Sequence, residues 1–282
     1  MNYILFNYGK TPKYLSDSIK SIIKHDENSK IYFCTDDDNF KDKRVDLINL
    51  KELKDTRTDE VIKSNFYNNF ENPLWKTSMA RLFALQDVSE YVDVEEYVHF
   101  DNDVLVFGNF DSIKSNFSSF KGLHITETVV EAAKAFVFGF SYVNSIENYK
   151  KICDYIFEFI LTKNNKIDET NDDNEFKYIE MKMLVKAQLA LPGLIKSLPS
   201  IPESDKSIVF DPADYGWFLD GVDYAEKIST IDRSHTLGEY LYEDLEHTKI
   251  SFEDGKPYLY SHGLKNRIFN LHMHQKRLNK YI

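Results

Sequence analysis

The chain has two cysteines in 282 residues, Cys34 and Cys153, each inside an apolar stretch. So few thiols exclude a disulfide framework and fit two buried side chains in a reducing compartment, the cytosol. Glycine and proline are also sparse, at 10 and 7 residues, which removes collagen-like and low-complexity architectures. Basic charge is in deficit: 35 Lys plus Arg stand against 46 Asp plus Glu, giving a formal charge of −11 and an isoelectric point near 5.3. Such a surface lacks the broad cationic footprint that neutralises nucleic-acid phosphates, although a few local cations suffice for one small phosphate ligand. No window approaches the roughly 18 apolar residues of a membrane span. The N-terminal residues turn apolar without a basic leader or a small-residue cleavage site. These features predict a soluble, unsecreted protein, at most peripherally associated with a membrane. What is present is a hydrophobic fraction of 42 %, with 15 % aromatic, enough for a sizeable core in one large domain or two small ones.

Tyr3 to Phe6 is a short apolar run of strand type, interrupted by Gly9 to Pro12. Leu15, Ile19, Ile22 and Ile23 then recur at helical spacing, and a second apolar run, Ile31 to Cys34, stops at Thr35 to Asp38. This βαβ opening favours a parallel, doubly wound sheet whose ligand crevice lies at the carboxyl ends of its strands. Residues 55–72 are polar and predict a surface excursion before a helix beginning near Trp75 with a stripe of Met79, Leu82, Phe83 and Leu85. A strand at Tyr97 to Phe100 runs into Asp101-Asn102-Asp103 and continues as an apolar run from Val104 to Phe107. Further on, the pattern predicts a strand over Phe136 to Tyr142, a helix from Ser145 to Leu161, a polar loop over 164–175 and a helix ending near Ala190. Short strands and loops complete the chain as far as Arg267 to His274. The alternating Phe136, Phe138, Phe140 and Tyr142 read as a core-lining strand, and Trp75 and Trp217 are candidates to stack on a ligand ring.

Two carboxylates between apolar runs are costly unless paired or bound to a cation. Asp101 and Asp103 are two positions apart, so in extended backbone they project to one side and a local turn brings both to one divalent ion. An ordinary acidic turn is the alternative. Near the C-terminus, an extended Ile268 to His274 places Asn270, His272 and His274 on one face and Phe269, Leu271 and Met273 on the other. That face is either a metal-ligating surface or a polar, solvent-facing strand. Carboxylates with an imidazole favour Mn2+ over Mg2+ or Ca2+. Lys276, Arg277 and Lys280 follow directly, suited to a diphosphate or to a solvated helix face.

Taken in order, the strand followed by Gly9 to Pro12, the helix bearing Arg81, the Asp101-Asn102-Asp103 triplet, the segment Phe210 to Gly216 and the terminal Asn270 to His274 resemble the D-x-D glycosyltransferases of the GT-A fold. The likeness is to the bacterial and viral polysaccharide-building kind and, distantly, to glycogenin. It implies one domain over 1–282 with a Rossmann-like α/β sheet, mixed but mainly parallel and flanked by helices. Residues 1–107 would form the nucleotide-sugar-binding half, and 108–282 the acceptor-binding half with a C-terminal metal-binding strand. It also implies transfer of a sugar from a nucleotide-sugar donor, expected to be a UDP-sugar, to a glycan hydroxyl, with Mn2+ or Mg2+ as cofactor.

Residue by residue, the resemblance puts the donor base near Asn7, Tyr8 and Asp36. It gives the metal to Asp103 with Asp101, places His272 or His274 in the metal shell, and sends Arg81 and Lys276 to the donor. Asn102 between the acids departs from the commoner pattern. The catalytic base or nucleophile is sought among Glu127, Asp173, Glu180, Asp211 and Asp220, and Gly216 and Gly221 read as tight backbone positions near a sugar or as plain turns. Two rival readings stand beside this one. The acids and histidines would suit a metal-dependent hydrolase or phosphodiesterase, and the chain would also suit a non-catalytic carbohydrate-binding module.

Overall fold

The computed structural model describes residues 1–53, 56–64, 73–130, 133–164, 178–203, 207–213, 215–219, 248–274 and 276–282. Strand β1 (Asn2–Asn7), helix α1 (Leu15–His25) and strand β2 (Lys30–Thr35) form the expected βαβ unit, with β1 and β2 parallel from Asn2↔Lys30 to Asn7↔Thr35. The helical spacing acts as it should: Leu15, Ile19 and Ile22 are fully buried. Strand β3 (Asp46–Asn49) adds in parallel to β2.

The polar stretch after β3 departs from expectation. Its described part contains helix α2 (Arg57–Lys63), whose Thr58 and Val61 are buried. The Thr56 hydroxyl accepts from the Asp59 amide at 3.5 Å, so a threonine cap starts a helix in a segment with little apolar periodicity. The Thr58 hydroxyl donates to Asp87 of helix α3 (Leu74–Tyr91) and docks the short helix. In α3, Met79, Ala80, Leu82, Phe83, Ala84, Leu85 and Val88 are all buried, because the helix lies between the sheet and two further helices.

The chain continues through β4 (Tyr97–His99), β5 (Val104–Val106), β6 (Leu123–Val130), β7 (Ala133–Val143), α4 (Ile146–Asn164) and α5 (Glu180–Ala190). Strands β8 (Ile195–Ser197), β9 (Ile208–Val209), β10 (Thr248–Glu253), β11 (Lys256–Ser261), β12 (Leu264–Ile268) and β13 (Asn270–His272) follow. A seven-stranded sheet has the order β3-β2-β1-β4-β7-β6-β8. Only β7 runs antiparallel to its neighbours, so the sheet is mixed and mainly parallel, the expected fold class. Strands β10, β11, β12 and β9 form a smaller sheet, and β13 pairs with β5.

One face of the large sheet packs on α3, α4 and α5, and the other on α1 and β5. The aromatic strand β7 serves both faces. Phe136 and Phe138 enter the first core, whereas Phe140 and Tyr142 enter the second. Strict alternation would keep all four together. The switch follows from a bulge: Ile125 of β6 opposes Ser141 while the next residue, Thr126, opposes Val137, leaving 138–140 as extra backbone. That backbone is used, since the Phe138 carbonyl accepts from the Asp101 amide at 3.1 Å and the Gly139 carbonyl from Asn270 Nδ2 at 3.3 Å.

Both thiols, Cys34 and Cys153, are free and buried. Among the described residues, no helix is long and apolar enough to cross a membrane.

The short strand β13 is held from behind. Asp211 is fully buried, and its carboxylate accepts from the amides of Tyr215 at 2.8 Å, Gly216 at 3.1 Å and His272 at 2.8 Å. Gly216 lies so close to the strand that an added Cβ would run into the His272 carbonyl. Removing the acceptor in Asp211→Ala strands three buried donors and is expected to destabilise the fold by about 3 kcal/mol or more, read from the denaturation midpoint. A midpoint shift under about 1 kcal/mol would contradict this anchoring.

Candidate metal and nucleotide centre

The acidic triplet sits where the chain leaves the sheet and doubles back. After β4 the Asp101 amide bonds to the bulge of β7, and the Val104 amide closes a turn onto the Asp101 carbonyl at 3.0 Å. The chain then returns as β5 across the α1 face. Two serines of α1 fix it there: Ser18 Oγ donates to the Val104 carbonyl at 2.7 Å, and Ser21 Oγ accepts from the Val106 amide at 3.1 Å. Strand β13 pairs antiparallel with β5, setting His272 opposite Val104, and the Met273 amide bonds to the Asp103 carbonyl at 2.8 Å. The triplet and the histidines, far apart in sequence, thus share one backbone ladder.

The side chains meet accordingly. His272 Nε2 lies 3.1 Å from Asp103 Oδ1, and Lys276 Nζ donates to Asp103 Oδ2. His272 Nδ1 is 4.0 Å from Asp101 Oδ2. The strand ends at His272, so His274 is in a turn rather than extended as expected, yet its ring stacks on that of His272 at 4.2 Å. Ligand atoms of Asp103, His272 and His274 fall within 4.8 Å of one another. Asp101 stands outside that group because Arg81 holds it.

Arg81, on α3, spans two acids: Nη1 donates to Asp101 and Nη2 to Glu180 Oε1 at 2.7 Å. Its guanidinium packs over the Phe138 ring at 4.9 Å. Glu180 is 2 % exposed, which excludes a solvated surface charge; as the first residue of α5 it enters the core only because Arg81 meets it there. Burial raises the Glu180 pKa and the charge of Arg81 opposes the rise. Of the other candidate carboxylates, Asp211 is the anchor described above. Glu127 is partly exposed and pairs with Lys134 at 2.8 Å. Asp173, Asp220 and Gly221 lie outside the described residues, as does the side chain of Trp217. Trp75 is half-buried in the first turn of α3.

At the neighbouring strand ends, Asn7, Tyr8 and Asp36 come together around Gly9. Asn7 Nδ2 donates to the Gly9 carbonyl at 2.8 Å, and the Gly9 amide to Asp36 Oδ1 at 2.6 Å. Gly9 has φ of +83°, a conformation that glycine adopts without strain. Tyr8 is 43 % exposed. Asn102 links this corner to the triplet by donating to the Phe6 carbonyl at 3.1 Å and to Asn7 Oδ1 at 3.2 Å. Sequence reasoning noted Asn102 only as a departure from the commoner pattern and passed over Tyr14. The latter lies under Lys276 Nζ at 5.4 Å, its pKa pushed up to about 12 by burial and then by Asp103 and Asp101. Its place just after the Gly9 to Pro12 break was the available signal.

The electrostatics follow from this packing. Burial works against both charged forms, but the charge and hydrogen bond of Asp103, helped by Asp101 and Asp211, push His272 up to about 9. Burial would raise the Asp103 pKa; His272 and then Lys276 hold it well below the usual carboxylate range. His274 is pushed down to about 3, by burial first and then by the charge of His272, and stays neutral. Folded His272 therefore binds its proton more tightly than an unfolded histidine near 6.5. The stability it contributes is complete below about pH 6.5 and is lost as pH rises through about 9. The chelator-treated protein is expected to lose melting temperature across that window, and His272→Gln to remove this component. A wild-type profile that is flat from pH 6.5 to 9 would contradict the pairing.

No protein-family profile matches the chain, and no curated protein does. Solved structures with distant likeness include the PaToxG glycosyltransferase, at 16 % identity over 68 % of this chain and 70 % of that one, with a TM-score of 0.41. Mouse xyloside xylosyltransferase 1 in its apo form aligns at 10 % identity over 71 % of this chain and 86 % of its own, with a TM-score of 0.45. The apo form of the glycosyltransferase GlyE of Streptococcus pneumoniae TIGR4 aligns at 14 % identity over 96 % of this chain, which spans about half of that one (54 %), with a TM-score of 0.47.

Proposed function

We propose that the protein is a metal-dependent glycosyltransferase that moves a sugar from a nucleotide diphosphate donor, a UDP-sugar, to a glycan hydroxyl. The observation that carries this reading is the convergence of Asp103, His272 and His274 beside Asp101 at the carboxyl edge of β1 and β4. In a mainly parallel sheet that edge is where a nucleotide lies.

The residues fit a divalent ion. Among the described residues His272 Nδ1 is buried with no hydrogen-bond partner, His274 is neutral, and an ammonium already rests on Asp103, so the pocket accepts positive charge. One carboxylate and two imidazoles suit Mn2+ better than Mg2+. Asp103, His272 and His274 would hold the ion, with Asp101 facing the donor. The chemistry such an ion supplies is Lewis-acid neutralisation of the charge that grows on a departing diphosphate.

The chain's own residues do the rest. Lys276 supplies a second cation at the same point, within reach of a phosphate oxygen once it leaves Asp103. Asn7, Tyr8 and Asp36 line the corner where the base would rest, and Asn102 fixes that corner to the triplet. Arg81 and Glu180 orient Asp101, and Asp211 orients the His272 strand, so these acids act by positioning. Loading a metal requires neutral His272 and releases its proton, which makes the affinity rise with pH up to about 9. Two buried, unpaired thiols support a reducing compartment such as the cytosol.

The deciding measurement is a thermal-shift screen of UDP, GDP, CMP and dTDP with and without Mn2+. UDP at about 100 times its dissociation constant is expected to stabilise the protein by about 2.7 kcal/mol, and only with Mn2+ present. Asp103→Ala should abolish both that shift and hydrolysis of a UDP-sugar. Full activity in Asp103→Ala, or no nucleotide shift at saturation, overturns the proposal.

A further inference from the structure

The far end of helix α1 carries charge that the metal centre does not use. The helix begins just after Tyr14, which lies under Lys276 at that centre, and its 11 residues carry the chain about 16 Å away, to His25 at the amino edge of the sheet. Strand β5 runs the same way, from Val104 opposite His272 towards Phe107.

Contacts around Phe107 gather side chains from three elements. Its ring meets His25 at 6.1 Å and Phe252 of β10 at 5.8 Å, and its carbonyl accepts from Arg267 Nη2 of β12. Gly108 leaves room for that guanidinium, since an added Cβ would collide with Nη2. Lys256 opens β11 opposite Glu253, and Lys24 precedes His25 on the last turn of α1. Burial first, and then the charges of Lys24, Arg267 and Lys256, push the His25 pKa down to about 4, so the ring is neutral and the three cations stand close around it.

These cations lack a counter-charge. Elsewhere lysines meet carboxylates, as Lys20 meets Asp17, Lys51 meets Asp38 and Lys151 meets Glu147, which is expected where acids are in excess. Among the described residues Lys24, Lys256 and Arg267 form no ion pair, and Arg267 Nε is buried without a hydrogen-bond partner. The neighbouring acids are engaged or in solvent: Asp26 is buried and accepts from Asn109 Nδ2 at 3.5 Å, Glu253 pairs with Lys265 at 2.6 Å, and Glu27 is exposed. A cation on the last turn of a helix answers the dipole at its carboxyl end, which accounts for Lys24. It does not account for Lys256 and Arg267, which come from the smaller sheet. A half-buried guanidinium beside two ammonium groups is costly unless an anion meets them.

The charge sets the ligand. Three cations and an imidazole N–H exceed what one carboxylate balances, whereas a phosphate monoester or a diphosphate carries about two negative charges and accepts the arginine fork. A nucleic acid would run on from the cluster over an acidic surface.

We propose that Lys24, Lys256 and Arg267, gathered around His25 at the amino edge of the sheet, form a phosphate-binding site separate from the metal centre. Its ligand is a phosphate monoester or diphosphate group, borne by a free small molecule or by a lipid headgroup. The site stands whether or not the chain transfers sugars.

The test uses the full chain at physiological ionic strength without divalent metal. Inorganic phosphate and pyrophosphate are titrated while the His25 ring signals, assigned with His25→Gln, are followed by NMR. Pyrophosphate is expected to bind at millimolar concentration or below and to shift those signals. Its affinity should fall about tenfold or more in the double variant Lys24→Glu with Lys256→Glu, and likewise in Arg267→Gln. Circular dichroism confirms folding, and if Arg267→Gln does not fold, the double variant decides alone. Lys276→Ala should leave the affinity within about twofold of wild type, because that lysine lies beyond the other end of α1. A flotation assay on phosphatidylcholine vesicles with and without phosphatidic acid separates the sources. Capture only with phosphatidic acid, lost in the double variant, names a lipid headgroup, and binding of the soluble anions alone names a free phosphate. The site is overturned by a His25 shift no larger than that from chloride at matched ionic strength, or by equal pyrophosphate affinity in wild type and the double variant. Vesicle capture without any response to the soluble anions also overturns it and leaves only a generally charged surface.

Discussion

The site depends on one carboxylate kept where water barely reaches it. Asp103 is 5 % exposed, and an ionised group there costs several kcal/mol unless positive charge is brought against it. That charge comes from His272 and Lys276, at the opposite end of the chain. The β5–β13 ladder makes the meeting possible, and both of its strands are held from outside: β5 by the serines of α1, and β13 by the Asp211 carboxylate and the Asn270 amide. Each of these supports is itself a buried polar group with its partners in place, which is the condition under which buried polarity costs little.

The three residues of the triplet have separate duties. Asp101 belongs to α3 and α5 through Arg81, Asn102 belongs to β1 through the Phe6 carbonyl, and Asp103 belongs to the C-terminal strand. One tight turn therefore ties the two faces of the sheet and the C-terminus to a single point. A second aspartate in place of Asn102 would lose the two amide hydrogen bonds to β1 and add like charge beside two acids, so asparagine is the chemically reasonable middle residue.

Much of this was legible in the sequence wherever the signal was local. The βαβ opening, the apolar stripe of α1, the strand leading into the triplet and the clustering of ligand-type residues at both ends all follow from periodicity over a few residues. What was not legible depends on partners distant in sequence. Glu180 reads as a candidate base or as a surface charge on a helix, and it becomes a core residue only through Arg81. The four aromatics of β7 read as one face, and a bulge, which leaves no mark on alternation, divides them between two. Asp211 stood among the candidate catalytic carboxylates; its three main-chain donors become visible only when β13 is in place. Helix α2 was missed because a threonine cap and two buried side chains, rather than an apolar stripe, define it.

The acidic excess acquires a specific meaning in this arrangement. A protein of formal charge −11 that binds a diphosphate must concentrate cations at one point, because its average surface repels the ligand. Protonated His272 and Lys276 balance Asp103 internally. On the proposed function, a divalent ion held by Asp103, His272 and His274 would take over that duty, and His272 would give up its proton and Lys276 would be free to meet a phosphate. The carboxylate would then be balanced in both states, and metal dependence would have a cause in the fold itself.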